Sequence, residues 1–171
     1  MLAELLVLRL VHVLGGVFWV GSALFTTVFL VPALAASGPS AGQIMGELQR
    51  RRLFTVLPAV ALLTILSGAR LLWITSAGLS DAYLASATGR TFIGSAIAAL
   101  LAFVLGLLVV RPAGAGAARI GASLAATPEP ERAARIAEMN ALRRRSAAWG
   151  AIVMALLLLG AAGMSLARYL R

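Results

Sequence analysis

The chain has 171 residues, of which 61% are hydrophobic and 12% charged. With glycine counted as apolar the fraction is roughly 70%, against about 45–50% in soluble domains, which excludes an ordinary water-soluble domain and also excludes disorder. All fifteen basic residues are Arg, set against six acids for a formal charge of +9, and no Cys is present, so disulfides, thiolate metal sites and cysteine nucleophiles are excluded.

About 20 apolar residues are needed to cross a hydrocarbon core of roughly 30 Å. Four stretches qualify: 5–34, 53–77, 91–110 and 147–167. Lipid offers the backbone no hydrogen-bond partners and barrel-like alternation is absent, so each is predicted to be a helix. The first contains Arg9 and His12 and the second Arg70; the third and fourth carry no charge. Ala33-Leu34-Ala35 looks like a signal cleavage site. The apolar run before it is too long, however, and opens on Glu4 rather than a basic cluster, so it is read as a retained helix.

The connecting segments 35–52 and 111–146 are predicted to hold helices of their own. Ser40 is placed to cap a helix running through Gln43 and Arg52 into the second span. The Gly-rich stretch 112–121 reads as a flexible joint. After it, Thr127 as cap and Pro128 at the first helical position start a helix predicted to reach about Arg168 without interruption, roughly 60 Å at 1.5 Å per residue.

Arginines near the span ends set the orientation. Arg50, Arg51, Arg52, Arg111, Arg119, Arg132, Arg135, Arg143, Arg144 and Arg145 share one side, and Arg90, Arg168 and Arg171 the other. Both long connections are therefore expected in the cytoplasm and both termini outside. The expectation is one all-α domain: an integral-membrane four-helix bundle, N-out and C-out, with cytoplasmic helical extensions, in a bacterial inner membrane. Each half also reads as a span, a Pro-marked exit (Pro32, Pro112), a Gly/Ala-rich stretch, an Arg triplet and a second span. Duplicated helical hairpins would give this echo, and so would the positive-inside rule alone.

Ionisable groups within a span are costly and are site candidates by default. Counting along antiparallel helices puts His12 and Arg70 at similar depth in the outer half of the membrane, with Arg9 one turn shallower. Trp19 continues the His12 face, Gly15 and Gly16 between them leave room for a neighbouring backbone or a flat ligand, and Gly68 with Arg70 could face this stripe from the second span. One reading is a pocket with His12 as haem or metal ligand and Arg9, Trp19 and Arg70 around it. The other is a His12 hydrogen bond between helices and arginines that snorkel to the boundary. Trp73 and Tyr83 are expected at the outer interface. In the third span Gly94, Ala98, Ala102 and Gly106 recur every four residues, a small-residue stripe suited to close helix packing.

The opening run from Leu10 through His12, Gly15, Gly16, Trp19 and Gly21 to Phe25 resembles the first helix of small membrane proteins related to the copper-resistance protein D family. A similar His…Trp…Gly helix opens HemJ-type protoporphyrinogen oxidases. The likeness covers roughly residues 5–73, including Pro32, Arg50, Arg51, Arg52 and the Ser67-Gly68-Ala69-Arg70 segment. It implies His12 as the haem or metal ligand and Arg70 as a supporting residue. No second His, no Cys and no Met cluster accompanies them.

Three functions follow as expectations. The first is a non-enzymatic accessory or scaffold subunit, packed against other membrane subunits or copies of itself. The second is a haem b protein, a redox carrier or porphyrin-pathway oxidase, using His12. The third is copper or small-solute transport, ranked last because polar groups are too few inside the spans. Arg50, Arg51, Arg52, Arg143, Arg144 and Arg145 are expected to meet anionic lipid head groups. Topology accounts for the positive charge, so nucleic acid is not an expected partner.

Overall fold

A computed structural model describes residues 2–170. It is helical, with no strand among the described residues. In chain order the helices are α1 (Leu2–Ala36), α2 (Ala41–Arg50), α3 (Leu53–Thr75), α4 (Asp81–Ala85), α5 (Ala87–Ala126) and α6 (Glu129–Tyr169). α1, α3, α5 and α6 are each long and apolar enough to cross a membrane. Their apolar side chains are largely turned outward: Val17 and Leu159 are each 68% exposed. That pattern is inverted relative to a water-soluble fold.

The helices form two antiparallel hairpins. α1 packs along α3, and α5 along α6; α1 also touches α6, and α3 touches α5. Trp19, Ala61, Ala102, Val153 and Leu157 are buried together where the hairpins meet. The Trp19 indole stands edge-on to the Phe103 ring, 6.3 Å between centroids at 86°. Such a T-shaped pair adds about 0.5–1.5 kcal/mol beyond its buried area.

Both Pro-marked exits share a device that the sequence echo did not reveal. α1 widens to a π-turn at Thr26–Leu30 and α5 at Gly106–Val110. Val31 N–H donates to the Thr26 carbonyl and Arg111 N–H to the Gly106 carbonyl, five residues back in each case. A proline two residues beyond the turn lacks an N–H, and its ring crowds the carbonyl four residues earlier. One widened turn upstream relieves that crowding and lets the rod continue.

The connections differ from the sequence expectation in three places. α2 does not run into the second span: it stops at Arg50, and Arg52 adopts a left-handed backbone with φ 58° before α3 begins. Ser40 sits at the α2 N-cap position, but its side chain makes no capping bond. The chain therefore turns sharply between two helices that hydropathy alone would merge.

Stretch 112–121 is not a joint. It lies inside α5, which continues helical from Arg111 to Ser123 and packs on α6. Its small residues are a packing face: Ala113 and Ala117 are buried against α6 along with Met139, and a side chain at Gly116 or Gly121 would meet Leu142 or Met139. Close packing there overrides glycine's poor helix propensity of about 1 kcal/mol. Thr127 also faces backward, donating from Oγ1 to the Ser123 carbonyl at 3.0 Å, and α6 starts at Glu129 with Pro128 as its N-cap. The long final helix itself runs as the sequence predicts, to Tyr169.

Candidate functional site

The seam between α1 and α3 holds His12 and Arg70, two of the three ionisable side chains that the sequence sets inside a span. His12 is half-buried, and its Nδ1 lies 2.8 Å from the Thr64 carbonyl oxygen. A carbonyl can only accept, so Nδ1 carries the proton and a neutral ring keeps its Nε2 lone pair free. The same carbonyl accepts from Ser67 Oγ at 3.1 Å, while Thr64 Oγ1 donates to the Val60 carbonyl at 2.8 Å. Thr64 and Ser67 are buried, and each directs its hydroxyl proton at a carbonyl of α3, Ser67 chiefly at Leu63, 2.7 Å away.

Two glycines make this geometry accessible. A Cβ on Gly68 would lie 2.5 Å from His12 Cε1 and 2.8 Å from Nδ1, so only glycine lets the imidazole lie against α3. A Cβ on Gly15 would collide with Thr64 Oγ1. The room expected at Gly15 is thus filled from within the chain by Thr64, and His12 occupies a second notch at Gly68. Gly16 is looser, its nearest neighbour Thr64 Cγ2 at 3.8 Å.

Arg70 donates from Nε (3.0 Å) and Nη2 (2.8 Å) to Glu4 Oε1. Eight residues back along α1 and six forward along α3 from the His12–Thr64 contact bring Glu4 opposite Arg70. Antiparallel register, once fixed by His12 and Thr64, would have found this pair. Arg9 remains exposed. Trp19, two turns further along α1, packs on Phe103 in the central cluster. His12, Thr64, Arg70 and Glu4 therefore share one seam, while Arg9 and Trp19 stand apart from it.

The second hairpin closes differently. Ala98 and Ala102 take part in its contact, whereas Gly94 and Gly106 at the ends of the predicted stripe have open space around them. The close approach runs through Ser95 instead. A Cβ on Gly160 would come 3.2 Å from the Ser95 carbonyl oxygen, and one on Gly163 would collide with Ser95 Oγ. Thr88 Oγ1 donates to the Leu170 carbonyl at 2.7 Å, and Ser146 Oγ to the Val110 carbonyl at 3.3 Å, tying the hairpin at two levels.

Among the arginines near the span ends, Arg50 and Arg51 pair with Glu47, Arg52 makes the left-handed turn, and Arg143, Arg144 and Arg145 stay exposed. At the opposite end Trp73 is exposed and lies over Gly78. Tyr83 in α4 is half-buried, and desolvation pushes its hydroxyl pKa up. Ala77, Gly78 and Leu79 all have positive φ, a tight turn held by Leu79 N–H donating to the buried Ser76 Oγ at 2.8 Å.

Four helices long and apolar enough to span a membrane, packed as two hairpins, fit a multi-pass membrane protein. No family model matches the chain, and neither a curated protein nor a solved structure does.

Proposed function

We propose that the protein is a non-enzymatic accessory or scaffold subunit of a larger membrane assembly, built as an N-out, C-out four-helix bundle. The observation that carries this reading is the paired extension of the second hairpin. α5 and α6 have 40 and 41 residues, about twice what a bilayer crossing requires. The surplus is packed, not frayed: Ala113, Ala117 and Met139 are buried between the two helices. The result is a stiff arm with Arg111, Arg119, Arg143 and Arg144 on its surface, suited to hold a neighbouring subunit at a set distance from the bilayer.

Native gels after gentle solubilisation test the assembly, with migration beyond the 17.7 kDa chain expected. A free chain as the only species overturns it. The chain has no Cys, so single cysteines at Ser123 and Leu170 report orientation cleanly. An impermeant thiol reagent added outside is expected to label position 170 and spare 123.

A second reading is a haem b protein using His12, favoured by one observation. A haem-ligating imidazole commonly donates Nδ1–H to a carbonyl and offers Nε2 to the iron, and the Thr64 carbonyl fixes His12 in that tautomer. It ranks second because Gly68 already covers the ring. A Soret band abolished in His12→Ala supports it; no band, or an unchanged one, overturns it.

A further inference from the structure

The base of the arm carries two adjoining cavities that the scaffold reading does not use. One, of about 290 Å³, is lined by Leu108, Val109, Pro112, Ala113, Leu142 and Arg145. The other, of about 450 Å³, shares Pro112 and Leu142 and adds Arg119, Arg135 and Glu138 among its walls. The π-turn at Gly106–Val110 contributes Leu108 and Val109, so the widened turn that relieves Pro112 also shapes the groove.

The groove sets aliphatic and cationic side chains side by side. At the span end Leu108, 67% exposed among the outward-facing apolar side chains of α5, stands with Val109 and Arg145. Further along the arm the walls carry Arg119 and Arg135. Arg119 and Arg145 form no ion pair among the described residues, and only Arg135 is partnered, by Glu138 at 3.3 Å. Three guanidinium groups thus face one carboxylate beside an apolar wall.

We propose that this groove is a seat for an anionic phospholipid, with the acyl chain along Leu108 and Val109, the phosphate at Arg145 beside them, and Arg119 and Arg135 adding positive charge further along the arm. Guanidinium forks match phosphate oxygens, and basic pockets beside membrane helices select anionic head groups. A soluble anion would use the arginines and leave the aliphatic wall idle. The proposal rests on the membrane reading of the chain, with the arm leaving the bilayer at an anionic leaflet, and not on any partner subunit.

The test is native mass spectrometry of the full-length protein with phosphatidylglycerol or phosphatidylcholine. The wild type is expected to retain phosphatidylglycerol preferentially. The triple variant Arg119→Gln, Arg135→Gln, Arg145→Gln is expected to lose at least about fivefold of that retention, and Arg90→Gln with Arg168→Gln, exposed at the opposite ends of the spans, less than about twofold. Leu142→Asn, with all arginines kept, is expected to weaken retention of the lipid. Equal loss in the two arginine variants, or equal retention of both lipids, overturns the seat. Displacement of the lipid by millimolar inorganic phosphate assigns the groove to a free anion and also overturns it. A free chain on native gels removes the scaffold reading and leaves this result intact; labelling of position 123 from outside removes the anionic-leaflet premise separately.

Discussion

The two hairpins solve one problem with different chemistry. Apolar surface gains little by leaving lipid for protein, so helices in a bilayer adhere through close packing and hydrogen bonds. α1 and α3 meet through side chains set against glycine notches: His12 on Gly68 and Thr64 on Gly15, with a hydrogen bond across the seam. α5 and α6 meet through a long face of small residues, Ser95, Ala98, Ala102, Ala113 and Ala117 against Leu157, Gly160, Gly163 and Met139. The first seam concentrates its specificity in a few residues. The second distributes it over two long helices and can therefore extend past the spans as an arm.

Gly68→Ala is the sharpest way to break this contrast. A methyl group 2.5 Å from His12 Cε1 must push the ring away from its Thr64 bond, and overpacking of this kind costs about 1–3 kcal/mol. The same change in a His12→Ala background meets no ring and is expected to cost less than about 0.5 kcal/mol, because the two sites are directly coupled. Unfolding in mixed micelles measures the cycle. Equal costs in both backgrounds would show that the notch is not filled by His12.

On the arm, Ala117→Leu inserts three carbons into a face where Ala117 is only 4% exposed. Destabilisation of about 1–2 kcal/mol is expected, confined to the arm. Limited trypsin cleavage at Arg119 and Arg132 should accelerate while span-protected fragments persist, and global unfolding with no increase in arm cleavage would contradict a separately sealed extension. Glu4→Gln has a smaller effect. Its pair with Arg70 is half-exposed, the side chains at 42% and 51%, so about 0.2–1 kcal/mol is expected, shrinking as salt is raised.

These contrasts also show what was legible in the sequence. Four spans were, because hydropathy over 20 residues is a strong local signal. Gly68 was legible only as a residue of the facing span; that the His12 ring fills its notch comes from the packing. The seam partners were not: Thr64, Ser67 and Glu4 acquire meaning only through antiparallel register, a non-local quantity. The arm was half-read. Stretch 112–121 has the composition of a joint, and only the facing Leu142 and Met139 turn its glycines and alanines into a packing surface. The turn at Arg52 escaped because a left-handed Arg carries no sequence signature of the kind that Gly or Asn gives.

The smallest expected effect lies where the two hairpins join. α4 links α3 to α5, and Gly89 at the start of α5 sits so close to the Tyr83 carbonyl that no Cβ fits. Burial raises the Tyr83 pKa above its ordinary value of 10.0, so folding favours the neutral phenol. In that interval the folded state binds more protons than the unfolded chain, and stability falls with rising pH. The contribution is intact below about pH 10 and is lost as pH climbs through the raised folded value. The chain has no Lys and no Cys, so no amine side chain or thiol titrates alongside it. The only other phenol is Tyr169, which is 67% exposed. The alkaline decline of the thermal midpoint is therefore expected to flatten in Tyr83→Phe and to persist in Tyr169→Phe; the reverse pattern would move the sensitive joint from α4 to the end of α6.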